Sequence, residues 1–238
     1  MDRFVAKLRS RQALSQADET LLRDAGWSSA RFARHEAFVR PGQRLDHCHL
    51  LVSGFAARCH EDSAGNRQIV GLCIAGDLVD LHGAALGHLD HEVIALSPCD
   101  VEALPHSKVR ELTAQSEAVQ KVFWLQAAIE HSIQSAWIHA LGTKRGTAKL
   151  AHLFCELQLR LAVVGIATQM GFPLPMSQQE LADYAGMTHV HLNRCLKELR
   201  EAGLLTFSSG WAKVEDYDRL ARLARFDPGY LNLRLIEV

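Results

Sequence analysis

His189, Val190, Asn193, Arg194 and Lys197 stand at offsets of one, four, five and eight residues from the first, so one side of a helix carries all five. The planar fork of Arg194 suits the O6 and N7 acceptors of guanine. Asn193 and His189 suit a phosphate or a neighbouring base edge, Lys197 suits phosphate, and Val190 offers an apolar contact. A solvated amphipathic helix has the same composition, so the flanking residues decide between the two readings.

Those residues are specific. Ser177-Gln178-Gln179-Glu180 is a capping box: the Ser177 hydroxyl takes an amide of the first turn while Glu180 reaches back to the cap. The helix it starts turns Leu181, Ala182 and Ala185 inward and stops at Gly186, which can adopt the left-handed conformation of a tight corner. Thr188 caps the next helix, where Leu192, Leu196 and Leu199 form the buried stripe with Cys195 beside it. Leu204 to Phe207, then Ser208-Ser209-Gly210, then Trp211 to Val214 read as strand, turn and strand. Together these elements predict a winged helix-turn-helix reading double-stranded DNA, with Ser177, Gln178 and Thr188 at the helix starts part of the contact surface.

Other reactive residue types are less organised. His47 and His49 share one face of a strand, as in a metal-binding cupin, but Val52-Ser53-Gly54 stands where that family's acidic ligand would follow. A metal-dependent cupin-like enzyme is the alternative from a different class. No nucleophile and base pattern, Walker loop or dinucleotide fingerprint occurs, so no catalytic residue is assigned and the chain is read as a non-enzyme. The six cysteines are dispersed, without a Cys-x-x-Cys pair. Residues Met1 to Lys7 mix acid and base without a following apolar run. Both features predict reduced thiols in the cytoplasm. No apolar stretch approaches the roughly 18 residues of a membrane span.

The elements that must position these groups follow from pattern. Ser15 caps a short helix closed by Gly26. From about residue 32 to 104, short apolar runs alternate with turn residues such as Pro41-Gly42, Ser53-Gly54 and Gly76-Asp77, the spacing of a barrel or a double-sheet jelly roll. From 107 to 141 there is neither Gly nor Pro, which predicts one long helix. Its stripe Val119, Val122, Ile129, Ile133 and Ala136, with Phe123 and Trp137 beside it, is expected to pack against a second copy of the chain. Up to residue 142 there are 14 Lys and Arg against 17 Asp and Glu, and 12 against 10 thereafter. This mild asymmetry permits a nucleic-acid partner for the C-terminal part. The expected organisation is α+β: an effector-like roll over 1–106, a dimerisation helix over 107–141 and a DNA-binding domain over 142–238.

The chain resembles the CRP/FNR family of transcription regulators over nearly its whole length. The resemblance rests on Pro41-Gly42, Ser53-Gly54, Ala75-Gly76-Asp77, the long helix, the segment Thr188 to Arg194 followed by Leu196-Lys197-Glu198-Leu199, and Phe226-Asp227-Pro228-Gly229-Tyr230-Leu231. It implies a cyclic-nucleotide-binding-like roll, a homodimer, an inverted-repeat operator and contact with RNA polymerase. Val190 departs from the glutamate that well-known members use to read a cytosine, so their operators do not transfer.

The resemblance also frames a degenerate effector pocket at Asp80, Leu81, His82, Gly83, His91 and Glu92. Asp80 and Leu81 stand where nucleotide-binding members have glycine and the ribose-binding glutamate, and His91 and Glu92 replace the phosphate-binding arginine and serine. A phosphate would meet Asp90 and Glu92 without a fixed cation, so cyclic nucleotides are not expected to bind. Cys48, the first cysteine, already lies within the roll, so the N-terminal cluster of iron–sulfur members is missing. His82, His88 and His91 leave open a haem or metal sensor of the same fold.

Overall fold

The computed structural model describes residues 1–233. Two short helices, α1 (Asp2–Arg9) and α2 (Gln16–Arg23), precede the roll; Ser15 caps α2 as expected, and Asp18 completes a capping box. The roll strands are β1 (Ser28–Phe32), β2 (Ala37–Val39), β3 (His47–Ser53), β4 (Phe55–Glu61), β5 (Arg67–Ile74), β6 (Glu92–Ala95) and β7 (Cys99–Pro105), with the short α3 (Gly83–Leu86) between β5 and β6. They pair antiparallel into a three-stranded sheet, β1-β7-β3, and a four-stranded sheet, β2-β6-β4-β5.

Strand alternation gives each face of the larger sheet its own core. Ala56, Cys73, Val93 and Ala95 point into the roll, where they meet Leu51 and Val101 of the other sheet. Phe55, Ala57, Ile69, Ile74 and Ile94 point outward, into a core shared with the C-terminal helices. A sheet covered on both faces needs nearly continuous apolar strands, which is the texture of β4 and β5.

After the roll come α4 (His106–Gln115), α5 (Glu117–Thr143) and α6 (Gly146–Val163). The uninterrupted helix expected over 107–141 is corrected here, because Ser116 is extended at φ −139° and ψ 118°. Its hydroxyl accepts from the Val119 amide at 3.2 Å and donates to Asp18 at 2.6 Å, so it caps α5 and ties it to α2. The C-terminal elements are β8 (Phe172–Pro173), α7 (Gln178–Ala185), α8 (His189–Glu201), β9 (Leu205–Ser208), β10 (Trp211–Val214) and α9 (Tyr217–Ala224), then a 3-10 turn Pro228–Leu231.

The expected apolar seam on α5 is also corrected. Val119 and Val122 are buried within the chain against Phe4, Leu8 and Leu22, under the two N-terminal helices. Ile129 and Ile133 are covered by Leu231 of the C-terminal segment, and Ala136 is half-buried. The exposed line on α5 is Trp124, Ala128, His131, Ser135 and Ile138, with Trp124 73% and Ile138 69% exposed. Its alternating steps of four and three are those of a coiled-coil seam. No helix among the described residues is long and apolar enough to cross a membrane.

Candidate nucleic-acid interface and sensor cavity

Capping builds the helix pair from its ends. The Ser177 hydroxyl accepts from the Glu180 amide at 3.1 Å while Glu180 accepts from the Ser177 amide at 2.6 Å. Glu180 also binds Arg34 at 2.9 Å and His35 at 3.0 Å, so the same carboxylate ties α7 to the roll. Burial opposes its ionisation, but the Ser177 hydrogen bonds, His35 and Arg34 hold it below the usual carboxylate range. Gly186 turns the corner at φ 58°, a left-handed backbone that favours glycine. Thr188 then caps α8 by accepting from the His191 amide.

Leu192, Cys195 and Leu199 of α8 are buried, while Leu196 is half-buried. The opposite face stays in water: Val190 is 79% exposed, and the Arg194 and Lys197 side chains are 68% and 63% exposed. Gln178 bonds His189 Nε2 at 2.9 Å, and Asn193 Nδ2 lies 3.4 Å from the same ring. Gln178, His189 and Asn193 therefore form one polar cluster across the two helix starts. Arg194 is only loosely held, 4.0 Å from Glu198, which leaves its fork free to turn outward. Behind α7, Trp137 of α5 stacks on Tyr184 at 4.4 Å, with the rings 3° from parallel.

The second candidate site is a cavity of about 380 Å³ between the roll and α5. Leu81, His82 and His91 line it as expected. The other three expected residues are placed elsewhere. The Asp80 carboxylate turns away to the His49 ring at 2.6 Å and the His49 amide at 2.7 Å. Glu92 pairs with Arg67 at 2.9 Å, and Gly83 packs against Leu45 at the start of α3. Among the histidines with metal-binding spacing, His47 pairs with Asp46 and His49 with Asp80, so each closes on its own carboxylate.

The expectation of no fixed cation is corrected by Arg58. It lines the cavity with its side chain 3% exposed, bonded to Glu130 at 2.6 Å and to the Val79 carbonyl at 2.8 Å. Glu130, Gln126, His131 and Gln134 come from α5 and were missed. Their signal was polarity recurring within an apolar helix: Gln126 is buried and bonds Arg11 at 2.9 Å. All six cysteines are buried free thiols. Burial pushes Cys73 and Cys155 up to about 12.

The chain matches the cyclic nucleotide-binding domain over residues 30–116 and the Crp-like helix-turn-helix domain over residues 148–223. It belongs to the CRP/FNR family of transcription regulators. This regulator is 24% identical over 189 residues to the fumarate and nitrate reduction regulatory protein of Escherichia coli (strain K12), covering 79% of this chain and 75% of the relative. Its fold matches FixK2 from Bradyrhizobium japonicum with a TM-score of 0.75 at 21% identity, covering 83% of this chain and 97% of that one. The c-di-GMP responsive global regulator CLP of Xanthomonas campestris matches with a TM-score of 0.66 at 16% identity, over 85% of this chain and 100% of that one.

Proposed function

We propose that this CRP/FNR-type regulator works in the cytoplasm as a homodimer that reads an inverted-repeat operator in double-stranded DNA, and that it acts on transcription through RNA polymerase. The observation that carries the reading is the free face of α8, where Arg194 stands beside the Gln178, His189 and Asn193 cluster on a scaffold capped at both helix starts. The seam assigned to the dimer is Trp124, Ala128, His131, Ser135 and Ile138. Large apolar side chains at 73% and 69% exposure on one helix line favour a second copy as the cover.

The cavity is assigned to a ligand other than a cyclic nucleotide. Arg58 is already closed on Glu130, and Asp90 lies on the cavity wall, so a phosphate would have to displace one carboxylate and face another. A cyclic nucleotide does not fit this lining.

The test is one series of operators, selected from random duplexes, measured by sedimentation and by binding titration. Arg194→Ala costs about 1–3 kcal/mol per half-site and relaxes the preference at one base position. Lys197→Ala weakens all sequences alike and flattens the salt dependence. Ile138→Asp places a charge in the seam, shifts the protein to monomer and weakens operator binding in parallel. If Arg194→Ala leaves affinity and base preference unchanged, the recognition assignment is wrong. A wild-type monomer at micromolar concentration would overturn the dimer.

A further inference from the structure

The cavity holds a cluster that neither nucleotide recognition nor DNA reading uses. The ladder pairs Cys59 of β4 with Glu92 of β6 in antiparallel register. One step beyond that pair, His60 therefore comes to lie across from His91, with ring centroids 5.6 Å apart. Asp90 adjoins His91 in the chain, and its Oδ1 is 2.8 Å from His91 Nδ1. One ligand atom from each of His60, Asp90 and His91 lies within 4.8 Å of the other two, and among the described residues this is the one group of three or more His, Cys, Asp or Glu side chains that meets this condition.

A second, independent observation points to a ligand. The His91 side chain is more than nine-tenths buried, at 9% exposure, and its Nε2 is buried without a hydrogen-bond partner. A buried polar atom left unpaired is costly, and a bound ion is one way to satisfy it. The Asp90 side chain is 82% exposed and can turn from His91 Nδ1 to share an ion with the two rings. His82 stacks on His91 with centroids 5.5 Å apart, and His131 of α5 lines the same cavity.

We propose that His60, Asp90 and His91 form a binding site for a divalent first-row transition metal ion of the zinc type. Two imidazoles and one carboxylate suit such an ion. Calcium and magnesium demand more oxygen, and iron–sulfur clusters demand thiolates, which this cavity lacks among its lining residues. His82 and His131 stand on the cavity wall for the remaining coordination positions. An ion held there joins the end of the β4 and β6 ladder to the helix that carries the proposed dimer seam. That regulatory consequence rests on the function proposed above, whereas the binding site does not.

The test uses the full-length protein, stripped with a chelator and titrated with Zn2+ by calorimetry, and with Co2+ by its visible absorption. The expected result is one ion per chain, with ligand-field bands in the cobalt form. His60→Ala, at an exposed position, and His91→Ala each weaken binding by about tenfold or more. His139→Ala, at an exposed position of α5 outside the cavity, leaves it unchanged. Urea unfolding of each variant identifies any loss caused by misfolding, and the exposed His60 keeps the test decisive if His91→Ala does not fold. Absence of saturable binding in the wild type, or equal affinity in the wild type and His60→Ala, overturns the site. Operator binding by the same protein, metal-free and zinc-loaded, reports separately on the DNA reading: failure in both forms beside an intact zinc titration would leave the metal site standing.

Discussion

Helix α8 and the region around Asp77 use charged side chains in opposite ways. On α8, Arg194 and Lys197 extend into water on a face supported from behind by buried leucines, so their charges carry little desolvation cost and are held only by loose surface pairs with Glu198 at 4.0 Å and Glu201 at 3.7 Å. Around Asp77 the charges are interior. Its fully buried carboxylate binds Lys7 of α1 and, at 3.1 Å, Arg160 of α6. Arg160 also donates to the Leu72 carbonyl at 2.9 Å and to Glu156 at 2.9 Å, and Tyr230 donates to Glu156 at 2.7 Å. This chain of bonds joins the N-terminal helix, the roll, α6 and the C-terminal segment. The exposed site can lose a side chain without the fold noticing, whereas the buried one cannot.

The largest expected effect tests that contrast directly. Burial opposes ionisation of Asp77, but Lys7 and Arg160 override it and hold the carboxyl at about 2. Asp77→Asn leaves the buried Lys7 ammonium without its counter-charge, which costs about 3–5 kcal/mol. Urea unfolding monitored by circular dichroism measures it. Arg194→Ala, by contrast, leaves the unfolding midpoint within error. Equal effects in the two variants would remove the distinction between a structural and a functional charge.

A smaller effect concerns the joint between the two regions. His152 of α6 is buried, with Nε2 3.1 Å from the Tyr230 hydroxyl and Nδ1 unpaired. Burial first, then Lys144 and His139, lower its pKa from 6.5 to about 4. The unfolded chain therefore binds a proton near pH 6.5 that the folded chain refuses until about pH 4. His152 contributes its full stabilisation above pH 6.5 and loses it progressively as pH falls to about 4. His82, His91 and His106 shift in the same direction through burial, so they add to the slope. The urea midpoint should fall between pH 7 and 5, and His152→Gln should reduce that fall without abolishing it. An unchanged slope would mean that His152 is protonated in the folded state.

The same contrast explains what the amino-acid sequence disclosed. Capping boxes, Gly186 and the alternating strands are local devices whose meaning lies within a few residues, so the helix pair, wing and most roll strands were legible. The seam was misread because burial of Val119 and Val122 depends on α1, and burial of Ile129 and Ile133 depends on Leu231, about a hundred residues distant. Arg58 was missed for a related reason: its partner Glu130 lies on α5, and no local spacing connects the two. Asp80 was placed in the cavity by its position in the loop, yet it turned to the His49 amide and ring, a choice set by β3. Elements defined by local signals were readable, and contacts made between distant elements were not.

The smallest effect asks how much the exposed site depends on its own scaffold. The Thr188 hydroxyl accepts from the His191 amide at 3.3 Å, a long bond, so Thr188→Ala should cost about 0.5–1 kcal/mol of stability, the low end for a cap. Operator affinity should fall further than that, because the frayed turn carries His189 and Val190 and must be re-ordered on DNA at each binding event. Thr188→Ser keeps the hydroxyl and should restore both quantities. Serine restoring stability but not affinity would assign the threonine methyl group a direct contact with DNA. Affinity unchanged in Thr188→Ala would mean that the Gln178 and His189 hydrogen bond alone orders the turn, and a further loss in the double variant with Gln178→Ala would then locate the support there.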